Sequence, residues 1–305
     1  MVKKIIIAIA VVLLIPVIVF FFFPQVIFNL SINSARSSAG LEERQIEAGD
    51  NTIAYLEGGE GEVVFLIHGL GGNKDSWPAF AEHLTQDYRV IAIDLPGTGD
   101  STKRETDVYS ISAQVPRVKA FLNEKEISEM HLVGHSMGGS IAIKLAAENP
   151  GMISSLTLLN TDGVKAPERS EFEKLIAQGR NPLTVTSAED LDNLLGFMFV
   201  NPPSIPGPIK RYLAGQAQEA AVYNTKIFWE IFGYDATSDL RKINTRTLIV
   251  WGDTDRRNHK SAIPVLERNL RNSRSMIIED CGHFTMREKP EETAEAFLSF
   301  VKGEI

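Results

Sequence analysis

Gly134-His135-Ser136-Met137-Gly138 is the stretch on which the reading of this chain turns. A serine with a glycine two residues away on each side is what a sharp strand-to-helix turn requires. Such a turn strains the serine backbone and lifts its side chain clear of the sheet. Five residues are a short pattern, so their setting has to support them. Before them, Met130-His131-Leu132-Val133 has the continuous apolar character of a short buried strand. After them, Met137 to Asn149 carries a helical pattern whose first turn, Gly138-Gly139-Ser140, is small enough to pack against that strand.

An acid and a histidine follow in the order that such a turn predicts, nucleophile first and histidine last, each beyond the carboxyl end of a strand. Arg246-Thr247-Leu248-Ile249-Val250-Trp251 reads as a strand ending in Gly252-Asp253-Thr254-Asp255. Ser275-Met276-Ile277-Ile278-Glu279 reads as another, ending in Asp280-Cys281-Gly282-His283. Ser136 alone is a poor nucleophile at neutral pH. His283 would take its proton, and a carboxylate behind the imidazole would fix the tautomer and stabilise the imidazolium. Asp255 is the chosen carboxylate, because it stands where the loop leaves the Gly252 turn, whereas Asp253 suits ordering that turn through its own backbone. Asp162, beyond the strand Ser155-Leu156-Thr157-Leu158-Leu159, stays open as a third candidate.

Acyl transfer also needs donors aimed at a developing oxyanion. Glu62-Val63-Val64-Phe65-Leu66-Ile67 is a continuous apolar strand running into His68-Gly69-Leu70-Gly71-Gly72, a loop that lets backbone approach a substrate. The backbone N–H groups of Leu70 and Met137 are the expected pair, the second favoured by the positive end of its helix.

Together His68-Gly69, Asp94-Leu95-Pro96-Gly97-Thr98-Gly99-Asp100-Ser101, the turn at Ser136, Gly252 to Asp255 and Gly282-His283 resemble the α/β-hydrolase superfamily from about Leu41 to the C-terminus. Closer in, Asn181-Pro182-Leu183, Glu189-Asp190 and Asn201-Pro202-Pro203 resemble bacterial lipases of lipolytic family V. They are also similar to the membrane-anchored monoacylglycerol lipases of animals. The resemblance implies hydrolysis of carboxylic esters with a lipid-like acyl chain, no cofactor, and Ser136, Asp255 and His283 in the triad positions.

The rest of the chain is compatible with that expectation. An apolar fraction of 44% with 23% charged residues is ordinary for a globular chain, and 305 residues can bury a large core. A net charge of −8 without a Lys/Arg cluster argues against a nucleic-acid partner. The single cysteine, Cys281, can form no internal disulfide and reads as a small buried residue rather than a nucleophile. His68 is expected to hold the oxyanion loop and His135 to pack locally. His83, His131 and His259 have no ligand spacing, so no metal site is predicted.

Ile5 to Phe23 is uncharged and apolar, extended by Val26-Ile27-Phe28 and preceded by Lys3-Lys4. Its length predicts a single-pass membrane anchor rather than a cleaved, secreted leader, since no small-residue cleavage site follows closely. Lys3 and Lys4 against Arg36 predict Met1 on the cytoplasmic side and an extracytoplasmic catalytic domain, in the periplasm if the source is bacterial. The expected organisation is anchor 1–30, polar linker 31–40, core 41–163, helical cap 164–236 and core 237–305.

Strands alternating with helices predict an α/β fold with a mostly parallel sheet flanked by helices. From Val164 to Ala236 the strand pattern stops, and helical stretches at Phe172 to Ala177, Leu191 to Phe199 and Ala217 to Phe232 are broken by prolines. This segment is expected as a cap over the serine. Leu194, Leu195, Phe197, Met198, Phe199 and Tyr212 are candidates to line an acyl pocket, or alternatively to form the cap's own core.

Two other functions stay open on the sequence. A carbon–carbon hydrolase uses the same three residue types; Arg169, Arg180 and Arg211 keep that possibility alive, because it needs an arginine for a carboxylated substrate. A non-catalytic binding protein on the same fold is the third reading, and the intact set of catalytic residue types speaks against it.

Overall fold

The computed structural model describes residues 2–305, the side chains of residues 2 and 5–13 excepted. Among the described residues one eight-stranded sheet runs in the order β1-β2-β4-β3-β5-β6-β7-β8. β1 (Glu42–Ala48) and β2 (Asn51–Gly58) form a hairpin around Gly49-Asp50, with Ala48 opposite Asn51. β2 pairs antiparallel with β4 (Arg89–Ile93). β3 (Val63–Ile67), β5 (Met130–His135), β6 (Ile153–Leu159), β7 (Thr247–Gly252) and β8 (Ser273–Ile278) continue from β4 as parallel neighbours. Their carboxyl ends therefore share one edge, where the loops carrying the candidate residues emerge.

The apolar strands are buried on both faces, and β3 shows how. Phe65 and Ile67 join one core cluster with Tyr55, Phe121 and Trp251, while Val64 and Leu66 join the opposite one with Trp77, Phe80 and Phe297. The first cluster is closed by α4 (Ile111–Glu124) and α5 (Met137–Glu148), after α3 (Pro78–Ala81) on the other face. Between β6 and β7 lie α6 (Glu171–Ala177), α7 (Ala188–Met198) and α8 (Gly207–Ile231), the helical insert expected there. The helices are broken between Met198 and Gly207, and α8 starts ten residues before the expected Ala217, with Pro206 as its cap and Pro208 in its first turn. Proline is tolerated there, where its missing N–H has no acceptor to lose. The short α9 (Thr237–Leu240), then α10 (Ile263–Asn269), α11 (Thr285–Glu288) and α12 (Pro290–Lys302) complete the chain.

The N-terminal segment is bent where one straight span was expected. α1 (Val2–Phe22) does not run on as one straight anchor; it turns by 94° into α2 (Pro24–Ser38). Pro24 disfavours helical geometry at Phe23, whose φ of −131° and ψ of 53° end the first helix, and Pro24 then serves as the first residue of the second. Among the described residues no single helix is long and apolar enough to cross a membrane, although the bent pair passes by length and composition. The expected orientation of Met1 lies outside the described residues.

The expected linker 31–40 is not slack either, because α2 is helical to Ser38 and docked. Arg36 sends two hydrogen bonds to Asp75, at 2.6 and 2.7 Å, and another to Glu43 at 2.6 Å. Phe28 packs against Tyr212 of α8 at 5.8 Å between ring centres. Ala39 and Leu41 are then buried in the core.

Candidate active site

Ser136 caps α5 with φ 52° and ψ −119°, the strained turn expected between β5 and that helix. Its flanking glycines are required by close approach. A Cβ on Gly134 would lie 2.5 Å from the Gly138 carbonyl oxygen, and one on Gly138 would lie 2.2 Å from that of Ile67. The elbow is thus pressed against the end of β3, which brings the His68-Gly69-Leu70 loop beside it. A Cβ on Gly69 would be 2.9 Å from that of Ser136. Met137, first residue of α5, has an N–H without an acceptor inside its helix, and it sits where the backbone partial charge is positive.

His283 Nδ1 donates to Asp255 Oδ2 at 2.9 Å, and both side chains are buried. The same carboxylate accepts from Asn160 Nδ2 at 2.7 Å on Oδ2, and from the N–H groups of Arg257 and Asn258 at 2.8 and 3.0 Å on Oδ1. A carboxylate receiving these bonds on both oxygens is held in one orientation. Asp162 does not reach the imidazole: it pairs with Arg257 at 3.2 Å and accepts from Gly163 N–H. Asp253 accepts from the Thr254 hydroxyl and from Cys281 N–H and so orders the turn, as expected. The described bonds join Asp255 to His283 but not His283 to Ser136, a link that is commonly long until substrate is bound.

The other histidines support the site. His68 Nδ1 donates to the Gly69 carbonyl at 2.7 Å, and its Nε2 accepts from Leu95 N–H at 3.2 Å, which pins the His68-Gly69-Leu70 loop to the loop after β4. Burial lowers its pKa against the opposing pull of Asp94, so the ring is neutral. His135 Nε2 donates to the His283 carbonyl at 2.9 Å. Burial first, and the neighbouring His283 second, push its pKa well below the ordinary value. Cys281 is fully buried, and its thiol is pushed up to about 12 by desolvation, which leaves it without a thiolate at neutral pH. Among the described residues no cluster of His, Cys, Asp or Glu has the arrangement to hold a metal ion.

Beyond the His68-Gly69-Leu70 loop, Lys74 is buried with its ammonium 3.0 Å from Asp94, 2.5 Å from Asp100 and 3.0 Å from Glu43. Desolvation alone would lower its pKa, but these carboxylates, Asp94 foremost, outweigh it and hold the amine charged. Replacing Lys74 by methionine leaves Asp94 buried without its cation. The expected cost is about 3–5 kcal/mol of unfolding free energy, read from the urea midpoint, with an unchanged midpoint as the contrary result.

The expected acyl-pocket residues are placed differently. Phe197, Met198 and Phe199 form a buried cluster with Phe172 and Phe228, and Leu194 and Leu195 pack against it. Phe199 stacks on Phe284 at 5.1 Å, and Tyr212 meets α2. A cavity of about 520 Å³ between insert and core is lined instead by Phe172, Ile176, Phe228, Ile231 and Phe232 with Asp162 and Arg257. None of the six lines it: the five from α7 and its end pack in the cluster that faces Phe284, and Tyr212 packs against Phe28. Asn160 was not foreseen. It stands at the carboxyl end of β6 with a left-handed φ of 45°, and both its position and its residue type were signals that could have marked it.

A parallel sheet with a strained serine between β5 and α5, and a carboxylate-backed histidine beyond β8, defines the α/β-hydrolase class. The chain belongs to the alpha/beta hydrolase fold family, whose model matches residues 62–290. It is similar to Lipase 3 of Moraxella sp. (strain TA144), 31% identical over 279 residues that cover 89% of this chain and 88% of the relative. It is similar to the human monoacylglycerol lipase ABHD6, 26% identical over 282 residues covering 87% of this chain and 84% of that one. Among solved structures, that of a membrane phospholipase A described as a bacterial virulence factor superposes with a TM-score of 0.90. It is 38% identical and covers 99% of this chain and 98% of the other.

Proposed function

We propose that this chain is a membrane-associated serine hydrolase that cleaves lipid-like acyl esters, monoacylglycerols among them, through an acyl-enzyme on Ser136. The chain is a carboxylic ester hydrolase, as its family and its lipase relatives along nearly the whole length support. The observation that carries the finer reading is the buried Asp255–His283 pair beside a strained Ser136.

In this reading His283 removes the Ser136 proton as Oγ attacks the ester carbonyl, and Asp255 steadies the resulting imidazolium. The N–H groups of Leu70 and Met137 receive the oxyanion. Collapse expels the alcohol, which takes the proton from His283, and a water activated by the same imidazole then releases the acid. The insert, residues 164–236 in this reading, acts as a cap that excludes water from the ester. No cofactor enters any step.

Membrane association rests on the apolar N-terminal helix. Leu14, Ile15, Val17, Ile18, Phe21 and Phe22 stand exposed on α1, where no protein surface covers them, and a lipid phase would. In this reading Lys3 and Lys4 favour a cytoplasmic side for the end that precedes α1 and an extracytoplasmic catalytic domain. Arg36 is taken up by Asp75 and Glu43 and so does not weigh against that orientation.

The test is turnover of p-nitrophenyl esters of increasing acyl length by the detergent-extracted full chain. Hydrolysis is expected across the series, and inactivity on every ester would remove the proposal. N-terminal sequencing of the membrane-extracted protein checks the anchor, which fails if the mature chain begins near Arg36 or Gly40.

A further inference from the structure

We infer that Arg256 is a positioning residue for ester hydrolysis: by tying the loop that bears Asp255 to α6 and α7, it aims the carboxylate behind His283. The inference rests on the reading of Ser136, Asp255 and His283 as the reacting group. Arg256 touches neither substrate nor the reacting atoms in that reading and acts only through its neighbour in the chain.

The guanidinium of Arg256 forms a two-pronged pair with Glu171 of α6, Nε and Nη2 each lying 2.7 Å from a carboxylate oxygen. Its third nitrogen, Nη1, donates to the Gly196 carbonyl in α7 at 3.0 Å, and the group lies 4.7 Å above the ring of Phe197. The main chain repeats the attachment, since the Arg256 carbonyl accepts from Phe172 N–H at 3.0 Å. Arg257 adds a guanidinium 4.0 Å above the Phe172 ring. Asp255 itself takes two bonds from this same loop, from the N–H groups of Arg257 and Asn258. A shift of the loop therefore moves the acceptor of His283 Nδ1.

The histidine is referenced to the same helix. His283 N–H donates to the Met198 carbonyl at 2.8 Å, and a Cβ on Gly282 would lie 2.4 Å from that oxygen. Gly196 and Met198 are two residues apart at the end of α7. One turn of the insert thus sets both the acid loop, through Arg256, and the base loop, through Met198. Asp255 and His283 are 28 residues apart in sequence and leave the sheet on different strands. A shared outside reference is what keeps their 2.9 Å bond in register.

Physical scale separates this role from plain stability. Arg256 and Glu171 are 44% and 45% exposed, and an ion pair so placed adds little to folding. Displacing a catalytic group by about 1 Å, by contrast, can cost about 100-fold in rate. The expected signature is lost turnover without lost stability.

The experiment compares the full-length Arg256→Met, Glu171→Gln and double variants on a short, soluble p-nitrophenyl ester. Each single change is expected to lower kcat about tenfold or more while KM and the melting temperature stay close to wild type. The double variant should be no slower than the slower single one, because both remove the same tie. Arg256→Lys should recover part of kcat, keeping charge without the fork. Wild-type kcat in both single variants, or a change confined to KM, overturns the inference. So does a kcat loss in Glu171→Gln that tracks a lowered melting temperature, and Glu171→Gln decides if Arg256→Met fails to fold. Ser136→Ala run alongside separates the two claims. Turnover surviving there overturns the nucleophile reading, whereas wild-type turnover in Arg256→Met beside an inactive Ser136→Ala overturns only the role of Arg256.

Discussion

Ser136→Ala is expected to reduce ester turnover by on the order of 10⁶ in kcat where the chemical step is limiting, leaving only what the backbone donors and binding supply. Alanine keeps a Cβ at φ 52°, so the strain of the elbow and its contacts with the end of β3 persist, and the folded state should be retained. That makes the loss attributable to Oγ. A serine-directed phosphonate should label the wild type at Ser136 and the variant nowhere. Label recovered at another residue, or turnover in the variant near that of wild type, rules out Ser136 as nucleophile.

Asp255→Asn is expected to lower kcat about 10⁴-fold, by analogy of role with a buried acid behind a catalytic imidazole. The reason is hydrogen-bond inventory rather than size. Asp255 accepts from Asn160 and His283 on one oxygen and from two backbone N–H groups on the other. An amide must set its NH₂ against one of those pairs of donors, and if it faces His283 the imidazole is driven to the wrong tautomer. Asp162→Asn is the matched control. Asp162 is part-exposed and bound to Arg257, so its change should leave turnover within about threefold, because no proton on His283 depends on it. Full activity in Asp255→Asn together with loss in Asp162→Asn would reverse the assignment.

The elbow, the strands beside it and the order of acid and histidine were legible because they are local. Apolar runs of strand length, bounded by glycine, leave few alternatives, and the expected strands match those formed to within a few residues, whereas α8 starts ten residues before the expected Ala217. The choice among Asp162, Asp253 and Asp255 could be argued but not closed by spacing. Which carboxylate meets a histidine on another strand is a matter of loop direction in space.

The N-terminal misreading has the same origin. Ser31 to Gly40 is rich in small polar residues and looks like a flexible tether, yet α2 is held by Arg36, which reaches Asp75, 39 residues away. A tertiary ion pair of that kind leaves no trace in local composition. Likewise Phe197, Met198 and Phe199 have the spacing of a pocket wall and of a packed core alike. Only the position of Phe284 decides between them.

The contact between Met198 and His283 bears on how such a chain is made. Translation delivers Ser136 early, then the insert, then β7 with Asp255, and the base only near the end; α12, which follows, still has to seat Phe297 against Phe80. Until then Ser136, on the proposed reading, has no proton acceptor, and the turn of α7 that will receive His283 has nothing to hold. On the proposed reading, a chain held at a bilayer by α1 while the rest is still emerging would lie beside lipid esters, until His283 is made, in a form that does not attack them.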